Sequence, residues 1–243
     1  MERQFDIQIE KLKKKILKMC SLVDEQVEFS IKAIDENDHE LAKLVIERDV
    51  KVDKYDVKIE KICQKIFALN QPVAMDLRLI MSAITINTNL ERIGDIAVNI
   101  AENFLILKSK PDFISRTKYS EMAKLVKEMI RNAIDSFIQN DPKLAQKVIQ
   151  TDPIIDSYNI ENHQILIELM KEDPGNIEPA VALLVISRQL ERLGDHATNV
   201  AEDVFFIVEA QMIKHKYEKF IMEDNPDEDD DDDDDEIEIK NNP

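Results

Sequence analysis

The same twelve-residue segment occurs twice in this chain. Residues 91–102 read E-R-I-G-D-I-A-V-N-I-A-E and residues 191–202 read E-R-L-G-D-H-A-T-N-V-A-E. Repetition at a fixed interval restricts the fold to two copies of one supersecondary unit. Of the three glycines in the 243 residues, two (Gly94 and Gly194) occupy the same place in this segment. Glycine inside a helix costs about 1 kcal/mol relative to alanine, so a repeated one requires a packing or site reason. At four-residue spacing Glu91, Asp95 and Asn99 share one helical face, as do Glu191, Asp195 and Asn199.

The duplication reaches beyond this segment. Asp38, Leu41, Ala42, Val45, Asp49 and Asp53 recur 103 positions later as Asp141, Leu144, Ala145, Val148, Asp152 and Asp156, whereas the glycine segments are 100 apart. Apolar residues at three- and four-residue intervals predict a first helix over 5–37, a second to about 69 and a third over 72–108. Helices over 118–139, from the Asn140-Asp141-Pro142 cap to Asp173, and over 176–220 repeat the series. The expectation is all-α: two tandem three-helix bundles related by internal duplication, 1–110 and 111–222, with the motif glycines lying where a neighbouring helix or ligand comes close. Residues 223–243 contain seven consecutive aspartates and little apolar surface, and form an expected disordered acidic tail.

Charge places the chemistry. Asp49/Asp53, Glu91/Asp95, Asp152/Asp156 and Glu191/Asp195 are four i,i+4 carboxylate pairs, two per repeat. Each pair costs a helix a few tenths of a kcal/mol, and a bundle that brings two helices together gathers four carboxylates. Such a gathering calls for cations or bound protons. All-oxygen donors suit hard cations or carboxylate-bridged iron. Asn99 and Asn199 are candidates to orient a ligand, and Arg92 and Arg192 to clamp a motif carboxylate. Arg78 reads as an ordinary surface ion-pair former and His196, turned off the motif face, as a satisfied or exposed histidine. Pro153, between Asp152 and Asp156, is expected to kink its helix and weaken the second site. Catalytic signatures are missing: the one Glu-x-x-His, Glu36 to His39, straddles a turn, which argues against a metal-storage or metal-dependent oxidase bundle, the alternative from another functional class.

The tail carries −12 of the formal −18, and no basic cluster with interleaved aromatics stands out along the sequence, so nucleic acid is not expected as a partner. Cys20 and Cys63 lie within helical patterns without metal or redox spacing and read as buried thiols. With neither a signal peptide nor an apolar stretch of about 18 residues, a cytoplasmic location without a transmembrane segment is expected.

The doubled E-R-x-G-D-x-x-x-N helix, each copy preceded by D-x-x-x-D, and the M-D-L-R ahead of the first copy resemble the PhoU family over about residues 5–220. The resemblance implies a cytoplasmic, non-enzymatic regulator of phosphate uptake and the phosphate-starvation response. It would work with the phosphate ABC transporter, through its ATPase component, and in many bacteria with a sensor histidine kinase, and would commonly be a homodimer. Relatives bind metal clusters through these acidic motifs. Carried over, the ligands are Asp49, Asp53, Glu91, Asp95, Asp152, Asp156, Glu191 and Asp195. The implied cofactors are divalent or trivalent metal ions such as Fe, Mn, Mg or Zn.

Overall fold

In the computed structural model, residues 4–107 and 109–210 are described. They form six long helices: α1 (Gln4–Glu36), α2 (His39–Leu69), α3 (Ala74–Leu107), α4 (Tyr119–Gln139), α5 (Pro142–Glu172) and α6 (Ile177–Glu209). No strand occurs among the described residues. Short 3-10 turns at Asp112–Arg116 and Pro174–Asn176 complete the connections. The expected acidic tail and the last part of the sixth predicted helix lie outside the described residues. Within them, α6 ends at Glu209, capped by Ala210 in the left-handed conformation.

Both repeats turn their first corner by the same device. Asn37 and Asn140 adopt positive φ (57° and 50°) and end α1 and α4. The next residue then caps the following helix: Asp38 accepts from the Leu41 amide and Asp141 from the amides of Lys143 and Leu144. Asparagine tolerates the left-handed region, and aspartate satisfies orphan amides at a helix start.

Apolar stripes on these helices close into a continuous core. Leu12, Ile16 and Met19 of α1, Ile59 and Ile66 of α2, and Ile80, Ile86 and Leu90 of α3 are fully buried in the first bundle. Val126, Ile149, Ile186 and Leu193 serve the second. Cys20 and Cys63 are buried free thiols, and desolvation pushes them up to about 12 and about 11. Pro153 lies inside an unbroken α5 and does not interrupt it.

The two bundles pack along α3 and α6, which run antiparallel, with the α3 C-terminus beside the α6 N-terminus. Near the crossing His196 donates from Nδ1 to Asn89 Oδ1 at 2.9 Å, and Asn199 Nδ2 reaches the same oxygen at 3.4 Å. Because that oxygen can only accept, the imidazole proton sits on Nδ1. Burial, then Arg192 and Arg92, lower the His196 pKa, which favours the neutral ring. A second link joins α1 to α4, where Arg131 bonds Asp24 and Glu28.

Candidate functional site

In each repeat the acidic pair of the second helix lies against the motif face of the third, and the glycine makes room for it. A Cβ on Gly94 would stand 3.3 Å from Val52 Cγ1 and 3.4 Å from Asp49 Oδ1. On Gly194 it would stand 3.2 Å from Asp152 Oδ1 and 3.5 Å from Ile155 Cγ2. What the missing side chain admits is therefore a neighbouring carboxylate, not a helix backbone.

Each set of four carboxylates shares one electrostatic neighbourhood. In the first repeat, burial raises the Asp49 pKa, a hydrogen bond from Gln26 Nε2 (3.1 Å) opposes the rise, and Asp53 and Asp95 add to it. Glu91 is raised by burial and by Asp95, against Arg92. Arg92 pairs with both motif acids, Nη1 to Asp95 Oδ2 at 2.9 Å and Nε to Glu91 Oε2 at 3.4 Å. Asn103 Nδ2 donates to the Asn99 backbone carbonyl at 2.7 Å, and among the described residues no side-chain hydrogen bond joins Asn99 to the acids.

The second repeat is less well compensated. The position equivalent to Gln26 is Met129, a thioether that cannot donate. Asp152 Oδ1 is buried and makes no hydrogen bond of acceptable geometry, and the same holds for Thr198 Oγ1. Burial, Asp195 and Asp156 push Asp152 up to about 7, only partly offset by the adjacent Thr198 hydroxyl. Glu191 and Asp195 are raised as well, by burial first, then by Asp195 and Asp156 respectively. Arg192 is placed at Gln189 (3.5 Å), and Arg188 approaches Glu191 instead, Nε to Oε2 at 3.5 Å, leaving that buried oxygen without a hydrogen bond. Asn199 is turned to Asn89 across the bundle seam.

Asp56 continues the α2 acidic stripe, accepts from Asn87 Nδ2 at 2.5 Å, and acts on Glu91. Its spacing of seven from Asp49 was the available signal; its counterpart, Asn159, is neutral and accepts from Ser187. Arg78, read from sequence as a surface ion-pair former, instead has a buried Nε that makes no hydrogen bond among the described residues.

The donor set is all oxygen, and its charge exceeds its countercharge in both repeats, as a hard cation requires. The side chains are open rather than closed around a point: among the described residues no three His, Cys, Asp or Glu groups converge tightly enough to hold a metal ion.

Comparison with known proteins agrees with this duplicated architecture. The PhoU domain family model matches residues 16–104 and again 119–204. The phosphate-specific transport system accessory protein PhoU homolog of Aquifex aeolicus is 38% identical over 212 residues, 87% of this chain and 96% of that protein. The crystal structure of PhoU from Pseudomonas aeruginosa superposes with a TM-score of 0.81 at 33% identity, covering 86% of this chain and all of that one. That of the phosphate transport system regulatory protein PhoU from Streptococcus pneumoniae gives 0.78 at 28% identity, covering 86% of this chain and 99% of its own. With two family domains in register with two acid-lined bundles, this chain belongs to the PhoU family.

Proposed function

We propose that the chain is a non-enzymatic, cytoplasmic regulator of phosphate uptake and phosphate-starvation signalling, acting as a homodimer on the ATPase component of a phosphate ABC transporter and on a sensor histidine kinase. The observation that carries this reading is the match, through both bundles and over 87% of this chain, to a protein named accessory to the phosphate-specific transport system. No described helix is long and apolar enough to cross a membrane, so action on a transporter would be by docking. Deleting the gene is expected to leave starvation-reporter output and phosphate uptake high in phosphate-replete medium. Unchanged output and uptake would overturn the regulatory role. Co-purification with the ATPase component and with the kinase, and light scattering for the dimer, test the partners separately.

The reading includes a cation site in each repeat, at Asp49, Asp53, Glu91 and Asp95 and at Asp152, Asp156, Glu191 and Asp195. Its support is the surplus of carboxylates, five of them raised by burial, above all the buried Asp152 Oδ1 and Glu191 Oε2 that make no hydrogen bond. A bound ion would supply countercharge beyond that of Arg188, which approaches Glu191 without a hydrogen bond. Closing the open ligand set requires the side chains to move, and the glycine cradles leave Asp49 and Asp152 directly against the motif helices. Elemental analysis of untagged protein tests it: less than one ion per chain after exposure to manganese or iron would exclude the sites.

A further inference from the structure

A lysine-lined face on the first repeat is used by none of the chemistry above. Lys51, Lys54, Lys58, Lys61 and Lys65 follow one another at alternating intervals of three and four along α2, which puts them on one face over about 21 Å. Lys11, Lys14 and Lys18 do the same on α1. A groove of about 320 Å³ between the two helices is lined by Lys18 of α1 and by Lys51, Lys54, Tyr55 and Lys58 of α2. Lys15 and Lys58 both stand over the Tyr55 ring, at 5.4 and 5.1 Å. None of these lysines pairs with a carboxylate among the described residues, whereas lysines elsewhere on the molecule do.

The face ends in exposed apolar side chains. Asn70 bonds Gln8, which fixes the start of α1 beside the end of α2. Around that junction Ile7, Leu69, Val73 and Met75 are 51%, 65%, 69% and 66% exposed.

The fold demands neither the lysine row nor Leu69, because the second repeat has the same fold without them. The positions equivalent to the five α2 lysines are Ile154, Ser157, Glu161, Gln164 and Glu168. The counterpart of Leu69 is Glu172, tied to Arg116 at 2.7 Å. A basic face thus stands on one copy only, in a chain whose net charge is −18.

We propose that this face docks the protein on an anionic phospholipid bilayer, with the lysines against the headgroups and the tip formed by Ile7, Leu69, Val73 and Met75 entering the interface. Two features favour lipid over an acidic protein or a nucleic acid. The stripe is lysine throughout, with no arginine, so it offers diffuse point charge rather than the fork that recognises a particular carboxylate or phosphate. The apolar tip adjoining it has a place to go only where a hydrocarbon region lies behind the charge. The proposal does not depend on the cation sites or on the transporter, and its failure would leave both untouched.

Vesicle sedimentation with the full chain tests it. Binding to phosphatidylcholine–phosphatidylglycerol vesicles, absent with phosphatidylcholine alone and lost as salt is raised, is expected. Lys54→Gln with Lys58→Gln should weaken it about 30-fold, each lysine being worth a factor of about 5 near such a surface. Lys124→Gln with Lys171→Gln, in the second repeat, should leave it unchanged. Leu69→Ser with Val73→Ser should confine binding to low salt. Circular dichroism melts confirm that each variant is folded. Equal binding to neutral vesicles, indifference to the Lys54/Lys58 pair, or binding of duplex DNA or a polyglutamate peptide but not of vesicles would overturn the proposal.

Discussion

Gln26 donates to Asp49 at 3.1 Å, and the second acidic site lacks an equivalent glutamine. At the matching place in the second repeat stands Met129, and Asp152 is left with a buried oxygen that no donor satisfies. The same fold thus holds one carboxylate that is partly compensated and another that sits near pH 7.

The first prediction follows from the direction of that shift. The Asp152 pKa is raised to about 7 from 3.8, so the folded state holds a proton that the unfolded state has already lost. Below about pH 4 both states are protonated; between there and pH 7 stability falls as pH rises. Melts in chelator should show a stability loss over that window. Asp152→Asn should flatten it and, at pH 8, stabilise the metal-free protein by about 1–2 kcal/mol after allowance for solvent screening. A wild-type melting temperature that climbs from pH 5 to pH 8 would contradict this.

Exchanging the compensating groups tests their assignment. Gln26→Leu should cost about 1 kcal/mol and raise the Asp49 pKa further. Met129→Gln should lower that of Asp152 and shrink the pH dependence, with a stability change within about 1 kcal/mol. Carboxyl titration by NMR reads both shifts directly.

Removing charge without changing shape distinguishes a cation site from an ion-paired surface. Glu91→Gln with Asp95→Asn loses the Arg92 pairs, which are half-exposed and worth about 0–1 kcal/mol, and relieves like-charge repulsion. In chelator the variant should melt at or above wild type. With manganese or iron the wild type should gain stability and the variant should gain little. Equal gains would remove these residues from any metal site.

Metal affinity at the second site should also depend more steeply on pH than at the first, because Asp152 must give up its proton near neutrality before it can ligate. Calorimetric titration at pH 6 and pH 8, on variants that retain one site each, should show a second-site affinity about tenfold higher at pH 8. An identical pH response from the two sites would show that Asp152 is not a ligand.

At the bundle seam, Asn89→Ala should cost about 1 kcal/mol by removing the acceptor of the half-buried His196 donor. A double-mutant cycle with His196→Ala should recover a coupling of similar size. Additive effects would mean that the bond contributes nothing across the seam.

Much of this architecture is legible in the sequence, because it is written in short-range signals. Leu12, Ile16 and Met19 announce a helix by spacing, and Asn37-Asp38 and Asn140-Asp141 announce its end by chemistry. The glycines flagged a close approach, though not that Asp49 and Asp152 make it. What escaped depends on rotamers or on neighbours distant in sequence. Arg188, rather than Arg192, approaches Glu191 because the choice lies in side-chain direction, not in spacing. The lysine face stayed hidden because it is split between two helices. Lys11, Lys14 and Lys18 stand in one short window, but Lys51 to Lys65 are spaced by three and four, and only the pairing of α1 with α2 sets the two rows together. His196 finds Asn89 only once α3 and α6 cross antiparallel.

That crossing has a consequence for how such a chain can change. Residue 89 meets residue 196, and the reciprocal positions hold Gln189 and Ile96. In a homodimer built from identical halves, every substitution at a twofold seam arrives twice, and an asparagine cannot be chosen for one side alone. Joined in a single polypeptide, the halves are inherited together but mutate separately. An unequal pair at the seam, a glutamine beneath one aspartate and a methionine beneath the other, and a basic flank on one copy all become accessible to descent by single steps.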